Sequence, residues 1–188
     1  VKVAIVHDWF CNIGGAEECV QIFTELFPAA PIYTLLVYDR NRDLPIIRNN
    51  RIHTSFVQKL PFAGRRHQEY LPLFPTAIEQ FDLTEYDLVI SSSSSVAKGA
   101  ITTAEACHIC YCHTPMRYAW HLYHEYMKGE RLKWLKSRLI PPIMNYIRTW
   151  DAASSRRVDH FVANSECVRA RIRKYYGRES QVIYPPVD

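Results

Sequence analysis

Residues 109–120 read ICYCHTPMRYAW and place Cys110, Cys112, His113 and Arg117 among three aromatic side chains. Three chemistries compete for that combination: a metal site, a nucleophilic thiol, and a strand that delivers polar groups to a binding loop. Zinc fits poorly. A structural zinc site closes with four convergent ligands and Cys-x2-4-Cys spacing, whereas Cys110 and Cys112 are two apart and share one strand face. Cys107 and Cys167 would have to complete the set from afar, so core thiols are the preferred reading and no metal is expected. A Cys112–His113 dyad fails on geometry, because neighbours along a strand point to opposite faces and no third group orients the imidazole.

His113 stands at the end of the apolar run, directly before Thr114-Pro115, where a proline suits the first position of a helix. An imidazole there can point into a crevice, donating from one nitrogen and accepting at the other. It can equally cap local backbone. Arg117 offers a planar fork of donors suited to phosphate or carboxylate, or a partner for Glu125. A second cluster, Gly14-Gly15-Ala16-Glu17, follows an apolar run and opens a helical pattern, so its amides are candidates for an anion. A turn without a ligand is an equal reading, since Glu17 in a first turn is also what the helix dipole selects.

These residues must be carried by regular elements. VKVAIVHDW reads as a strand ending at His7-Asp8, and residues 16–27 place Ala16, Cys19, Val20, Phe23 and Phe27 near one helical face. Pro28 and Pro31 close that helix before a strand at 32–37. Prolines interrupt residues 39–81. Strands then follow at 86–90, running into the serines 91–95, and at 107–112, 160–163 and 181–184. Helices are predicted near 117–127, 131–157 and 165–175, with Pro141-Pro142 breaking or kinking the long one. Nearly continuous apolar strands alternating with helices predict an α/β fold: a Rossmann-like, mostly parallel sheet covered on both faces. In such sheets ligands bind beyond the carboxyl ends of the strands, and that is where His7, Asp8, Gly14, Gly15, the serine run and His113 collect.

The 188 residues suit a single domain, and the net charge of +4 permits an anionic ligand or membrane surface without demanding nucleic acid. No apolar run reaches the length of a membrane span, and Val1 to Val6 lack the pattern of a leader peptide. Six sparse cysteines in apolar surroundings predict reduced thiols and a cytoplasmic location. Between Arg117 and Arg148 basic residues outnumber Glu125 and Glu130, and Leu132, Leu135, Leu139, Ile143, Ile147 and Trp150 recur at helical spacing. That stripe is a core face or a surface for anionic lipid. The aromatic and basic segment 56–74 is a second candidate for contact with the inner face of the cell membrane. No nucleic-acid-binding module is present.

Five segments, GGAEE at 14–18, the serine run closing on Val96-Ala97-Lys98-Gly99, CYCHTPMRYAW, FVANS at 161–165 and KYYGRES with VIYPPVD at the end, together resemble the N-terminal domain of a family 4 glycosyltransferase. The resemblance covers essentially the whole chain and is strongest to mannosyl and rhamnosyl transferases of surface polysaccharide and glycolipid synthesis. It implies the N-terminal half of a GT-B fold, with residues 1–184 as the acceptor-side domain, 185–188 opening an interdomain linker, and a C-terminal donor-binding domain beyond. It implies a retaining transferase that needs no cofactor. The transferred group would be a hexose, mannose from GDP-mannose foremost, and the acceptor a lipid-linked glycan or polysaccharide.

Residue by residue, the resemblance implies that Gly14 and Gly15 approach the donor diphosphate and the acceptor. It also implies that His113 contacts the transferred sugar and that Arg117 and Lys98 line the cleft. Ser93 and Ser94 are carried as binding positions, although the family often has histidine where Ser94 stands. Without a second domain to neutralise the leaving diphosphate, the 188 residues alone are expected to be inactive. The competing classes are a membrane-surface or anion-binding domain without catalysis, and a nucleotide-sugar epimerase or dehydrogenase. The latter is disfavoured by the missing GxGxxG fingerprint.

Overall fold

The structure is a computed structural model that describes residues 1–12, 14–127 and 133–186; of Met127 and residues 133–137 only the backbone is described. Lys128, Arg131 and Leu132, the Leu135 side chain and the last two positions of the expected linker therefore lie outside the described residues. Seven strands, β1 (Val3–His7), β2 (Ile32–Thr34), β3 (Ile52–Thr54), β4 (Leu88–Ser93), β5 (Cys107–Cys112), β6 (His160–Ala163) and β7 (Ser180–Val182), form one sheet. All their pairings are parallel and the order is β3-β2-β1-β4-β5-β6-β7. The α-helices are α1 (Gly15–Leu26), α2 (Pro45–Arg48), α3 (Ala63–Arg66), α4 (Phe74–Glu79), α5 (Tyr123–Met127), α6 (Lys133–Ser154) and α7 (Glu166–Tyr176).

The expected α/β architecture is present, and its sheet is wholly rather than mostly parallel. One layer packs Val20 and Phe23 of α1, with Phe27 just beyond its end, on Ile5 and Ile32. The opposite layer packs Met144 and Ile147 of α6, with Phe74, Ala77 and Ile78 of α4, on the face that carries Ala4, Val6 and Val89. A third cluster, with Val168 and Ile172 of α7 against Cys110, Cys112 and Phe161, covers the β5–β6 region. Cys110 and Cys112 are thus core thiols.

Several elements differ from the sequence expectation for local reasons. The strand placed at 86–90 runs on through Ser93, because Ser91, Ser92 and Ser93 are buried and each hydroxyl has a partner. The strand placed at 32–37 ends at Thr34, with one further bridge between Phe10 and Val37, and β3 was not anticipated at all. Helix α6 continues through Pro141 and Pro142. Burial of Met144, Ile147 and part of Trp150 beyond the prolines outweighs the lost backbone bonds. Of the apolar stripe, Ile143, Ile147 and Trp150 meet the core while Leu139 is half exposed.

Lys98 and Gly99 are framework residues. Lys98 does not line a cleft: it is 1% exposed, its Nζ lies 2.7 Å from Asp151 Oδ1, and it donates to the Asp151 carbonyl and Ser154 Oγ. Trp120 Nε1 and Tyr176 OH donate to the other carboxylate oxygen, so the ion pair ties the turn after β4 to α6 and α7. A Cβ on Gly99 would come within 2.4 Å of the Trp150 ring, so glycine is a packing requirement there. Replacing one partner of a buried pair strands the other, which costs roughly 3–5 kcal/mol. Lys98→Met is expected to lower unfolding free energy by that order in chemical denaturation; a loss below ~1 kcal/mol would show the pair to be dispensable.

Candidate active site

The strand order reverses direction at β1, which has β2 on one side and β4 on the other. Parallel sheets open a crevice outside the carboxyl ends of the strands at such a point, and the polar residues of β1, β4 and β5 end there. Alternation along each strand assigns them to two faces. His7 pairs in register with Ser92, and Ser92 with Tyr111, so the side chains of His7, Ser92, Tyr111 and His113 share the face covered by α1. Phe23 of α1 meets Tyr111 edge to face at 5.8 Å, consistent with that assignment.

Asp8 ends β1 on the other side. Its buried carboxylate accepts from the backbone amides of Ser94, Ser95, Val96 and Ala97 at 2.6–2.8 Å and from Ser94 Oγ at 3.1 Å. Successive amides converging on one anion form a nest, and here the anion is the protein's own. The serine loop is therefore saturated internally. Ser93 is 2% exposed; its hydroxyl accepts from the Lys98 amide and its carbonyl from the His113 amide, so it acts in the framework and does not face a ligand. Ser94 is held by Asp8 but reaches a cavity.

On the α1 face a row of polar groups runs along the sheet edge. The Gly14 amide donates to Glu17 Oε2 at 3.0 Å, Glu17 Oε1 lies 3.6 Å from His7 Nε2, His7 Nδ1 is 3.2 Å from Ser92 Oγ, and Ser92 Oγ is 2.8 Å from His113 Nε2. The Gly14 amide is thus taken by Glu17, half of a capping box, and is not offered to an external anion. Gly15 is different. It is exposed in the first turn of α1, and a Cβ built on it meets nothing within 4 Å. His113 is half-buried, and burial above all pushes it down from 6.5 to about 4, so it is a neutral imidazole at neutral pH.

Arg117 lies on the rim of a cavity of about 550 Å³, with Trp9, Asn12, Ser94, Tyr123 and Tyr126 among its walls. His113, Gly14 and Gly15 are not among the lining residues. The structure therefore brings the sequence-predicted residues into two adjoining groups, with Gly14, Gly15 and His113 along α1, and Ser94 and Arg117 at the aromatic cavity. Ser93 and Lys98 belong to neither.

Within the cavity wall Cys11 Sγ is 3.8 Å from His67 Nδ1, but burial pushes the Cys11 thiol up to about 12, so it is no nucleophile. Tyr38 OH, 2.6 Å from the same nitrogen, is likewise pushed up to about 12, first by burial. Cys112 is raised by its contact with Cys110 and by burial, and it faces away from His113. Among the described residues no three His, Cys, Asp or Glu side chains gather as a metal site.

The profile of Glycosyltransferase Family 4 matches residues 13–188. The chain belongs to glycosyltransferase family 4. Among solved structures this family 4 domain is similar to HepE of Anabaena, crystallised in complex with UDP, with a TM-score of 0.57 at 14% sequence identity. That match takes in all of this chain and 45% of HepE, so the domain spans less than half of its structural relative. The family 4 domain shares the Rossmann-like α/β fold of the matched part of HepE, as expected for one half of a GT-B fold. No curated protein matches the sequence.

Asp8, Glu17, His7 and Ser92 organise this edge. The sequence showed His7 and Asp8 at a strand end and Glu17 in a helix start, but a carboxylate 86 positions from the amide it binds leaves no local signal.

Two imidazoles held neutral by burial link the domain's stability to pH. His108, fully buried and 2.8 Å from Ser91 Oγ, is pushed down to about 4, first by burial, and His113 to the same value. The unfolded chain takes up these protons near 6.5 and the folded one only near 4. Stability present above pH 6.5 is therefore lost as pH falls through that window, by on the order of 3 kcal/mol for His108. Urea unfolding at pH 7 and pH 4.5 should show this decline, and His108→Gln should flatten it; equal slopes for both proteins would refute the assignment.

Proposed function

We propose that this domain is the acceptor-side half of a retaining glycosyltransferase. Such an enzyme transfers a hexose from a sugar nucleotide, GDP-mannose being the first candidate, to a hydroxyl of a lipid-linked glycan or polysaccharide. The observation that carries the reading is the family match over residues 13–188, on a chain whose open helix terminus at Gly15, neutral imidazole at His113 and Arg117-rimmed cavity share one sheet edge. That HepE binds UDP supports a nucleotide-sugar donor.

Transfer requires a nucleoside diphosphate to depart, and the charge it develops must be met by preorganised donors. In this domain the Gly14 amide and the serine-loop amides are already used by Glu17 and Asp8, which leaves the exposed start of α1 and the guanidinium of Arg117. Two such groups are a thin supply. The reading therefore assigns the main diphosphate contacts to a second domain across the cleft, and to this one the sugar and acceptor. Front-face displacement, in which a donor phosphate oxygen helps remove the acceptor proton, needs no enzymic nucleophile. Neither Cys11 nor Cys112 offers one at neutral pH.

A second reading, attachment to an anionic membrane surface, is favoured by one feature. Phe62 is 72% exposed in a left-handed conformation (φ 58°), between exposed Lys59 and exposed Arg65 and Arg66. An exposed aromatic ring close in sequence to three basic residues, of which Arg66 is paired with Glu69, suits an interface of lipid headgroups. Among the described residues no helix is long and apolar enough to cross a membrane.

Two measurements test these readings. The 188 residues alone should turn over GDP-mannose negligibly even at high protein concentration, whereas a protein joining them to a donor-binding domain should transfer. In that longer protein Gly15→Val should raise KM for the donor at least tenfold without moving Tm; robust turnover by the isolated chain, or an unaltered KM, would defeat the assignment. Co-sedimentation with anionic but not neutral vesicles should fall several-fold in Phe62→Ser, and binding indifferent to lipid charge would remove the membrane reading.

A further inference from the structure

The row Glu17–His7–Ser92–His113 dictates which nitrogen of His113 carries its proton. Glu17 Oε2 is occupied by the Gly14 amide, and Oε1 faces His7 Nε2 at 3.6 Å in a site where His7 is 3% exposed. His7 Nε2 has no hydrogen-bond partner among the described residues. A carboxylate only accepts, and a bare imidazole lone pair turned toward it in a buried setting would be repelled, so the His7 proton belongs on Nε2. The separation is long for a charge-assisted bond, which closes to about 2.7–2.9 Å, and we take the ring with that one proton.

His7 Nδ1 is then an acceptor, and the Ser92 hydroxyl, 3.2 Å away, donates to it. With its proton spent, Ser92 Oγ accepts at 2.8 Å from His113 Nε2. His113 therefore keeps its proton on Nε2, inside the row, and turns the lone pair of Nδ1 outward. Among the described residues Nδ1 meets no hydrogen-bond partner, and the residue is half-buried rather than sealed.

We infer that Glu17, His7 and Ser92 are positioning residues that lock His113 as a hydrogen-bond acceptor, so that it receives a donating substrate hydroxyl and turns away phosphate. A phosphate oxygen, charged and without a proton, gains nothing from a bare nitrogen, whereas a sugar hydroxyl can donate to it. Anions are left to Arg117 and the start of α1. The low affinity of His113 for a second proton keeps the arrangement through neutral pH. The hydroxyl's identity as part of a sugar rests on the transferase reading, but the tautomer does not.

The test needs no turnover, so loss of the tautomer and failure of the transferase reading are separate results. Long-range 1H–15N correlation spectra of the histidine-labelled protein at pH 7.5 should show His113 protonated on Nε2 and bare on Nδ1. Ser92→Ala should convert this to a mixture of both tautomers, Ser92→Thr should restore the single form, and Glu17→Gln should mix the tautomers of His7 and His113 together. A wild-type His113 protonated on Nδ1, including the form that a doubly protonated His7 would impose through Ser92, overturns the inference. So does a His113 tautomer indifferent to both Ser92→Ala and Glu17→Gln. Should Ser92→Ala fail to fold, the wild-type and Glu17→Gln spectra decide alone.

Discussion

One buried carboxylate organises the edge of this domain at the carboxyl ends of its central strands. Asp8, at the last turn of the chain out of β1, gathers four consecutive backbone amides and a hydroxyl from the segment that leaves β4. Burying a carboxylate is affordable only when its lone pairs are filled, and here they are filled by amides that would otherwise be unpaired at a strand exit. The bond set fixes the relative height of the two central strands. From that height follow the level of Ser92 beside His7, the level of Ser93 beside the His113 amide, and the delivery of Lys98 into the interior to meet Asp151. The same anion occupies the nest that the serine loop would otherwise present to a ligand.

Much of the architecture was legible because it rests on burial. Strands that are apolar on both faces and helices with one apolar stripe are visible in residue order, and β5 and β6 stand where the run of apolar residues puts them. What escaped depended on partners far away in sequence. Serine has weak strand preference, yet Ser91 and Ser92 extend β4 because His108 and His7 and His113 lie opposite to bond them. A proline pair breaks an isolated helix, yet α6 passes through it because Met144 and Ile147 are clamped to the core. Tertiary contacts decided both cases against local propensity.

The segments that carry the family likeness divide by job. Ser165 caps α7 by accepting the Val168 amide, Gly177 closes the same helix at φ 65°, and Arg178 clasps the carbonyls of Ser155, Val158 and Asp159. Lys98 and Gly99 pack the interior. These residues serve the geometry of the fold, so reading them as ligand contacts, as for Lys98, mistakes a constraint of folding for one of chemistry. Gly15 and Arg117 differ in that no internal demand accounts for them, and His113 in that only one of its ring nitrogens is used internally. Nothing in the protein fills the space above Gly15, and the Arg117 side chain makes no hydrogen bond or ion pair among the described residues.

That contrast locates where specificity can reside. Residues saturated by internal bonds cannot discriminate among ligands, because any new contact must first break an old one in a medium where the loss is costly. Asp8, Ser93, Gly14 and the serine-loop amides are of this kind. The groups left over differ in polarity: a guanidinium and an exposed helix start that favour negative charge, and an imidazole whose outward nitrogen, on the inference above, is set by Glu17 and the buried His7 and Ser92. Two anion-favouring groups and one hydroxyl-favouring group at this sheet edge are what the proposed substrate, a sugar joined to a charged leaving group, would require. Neither kind of group alone would tell such a substrate from a simple phosphate or a neutral glycan.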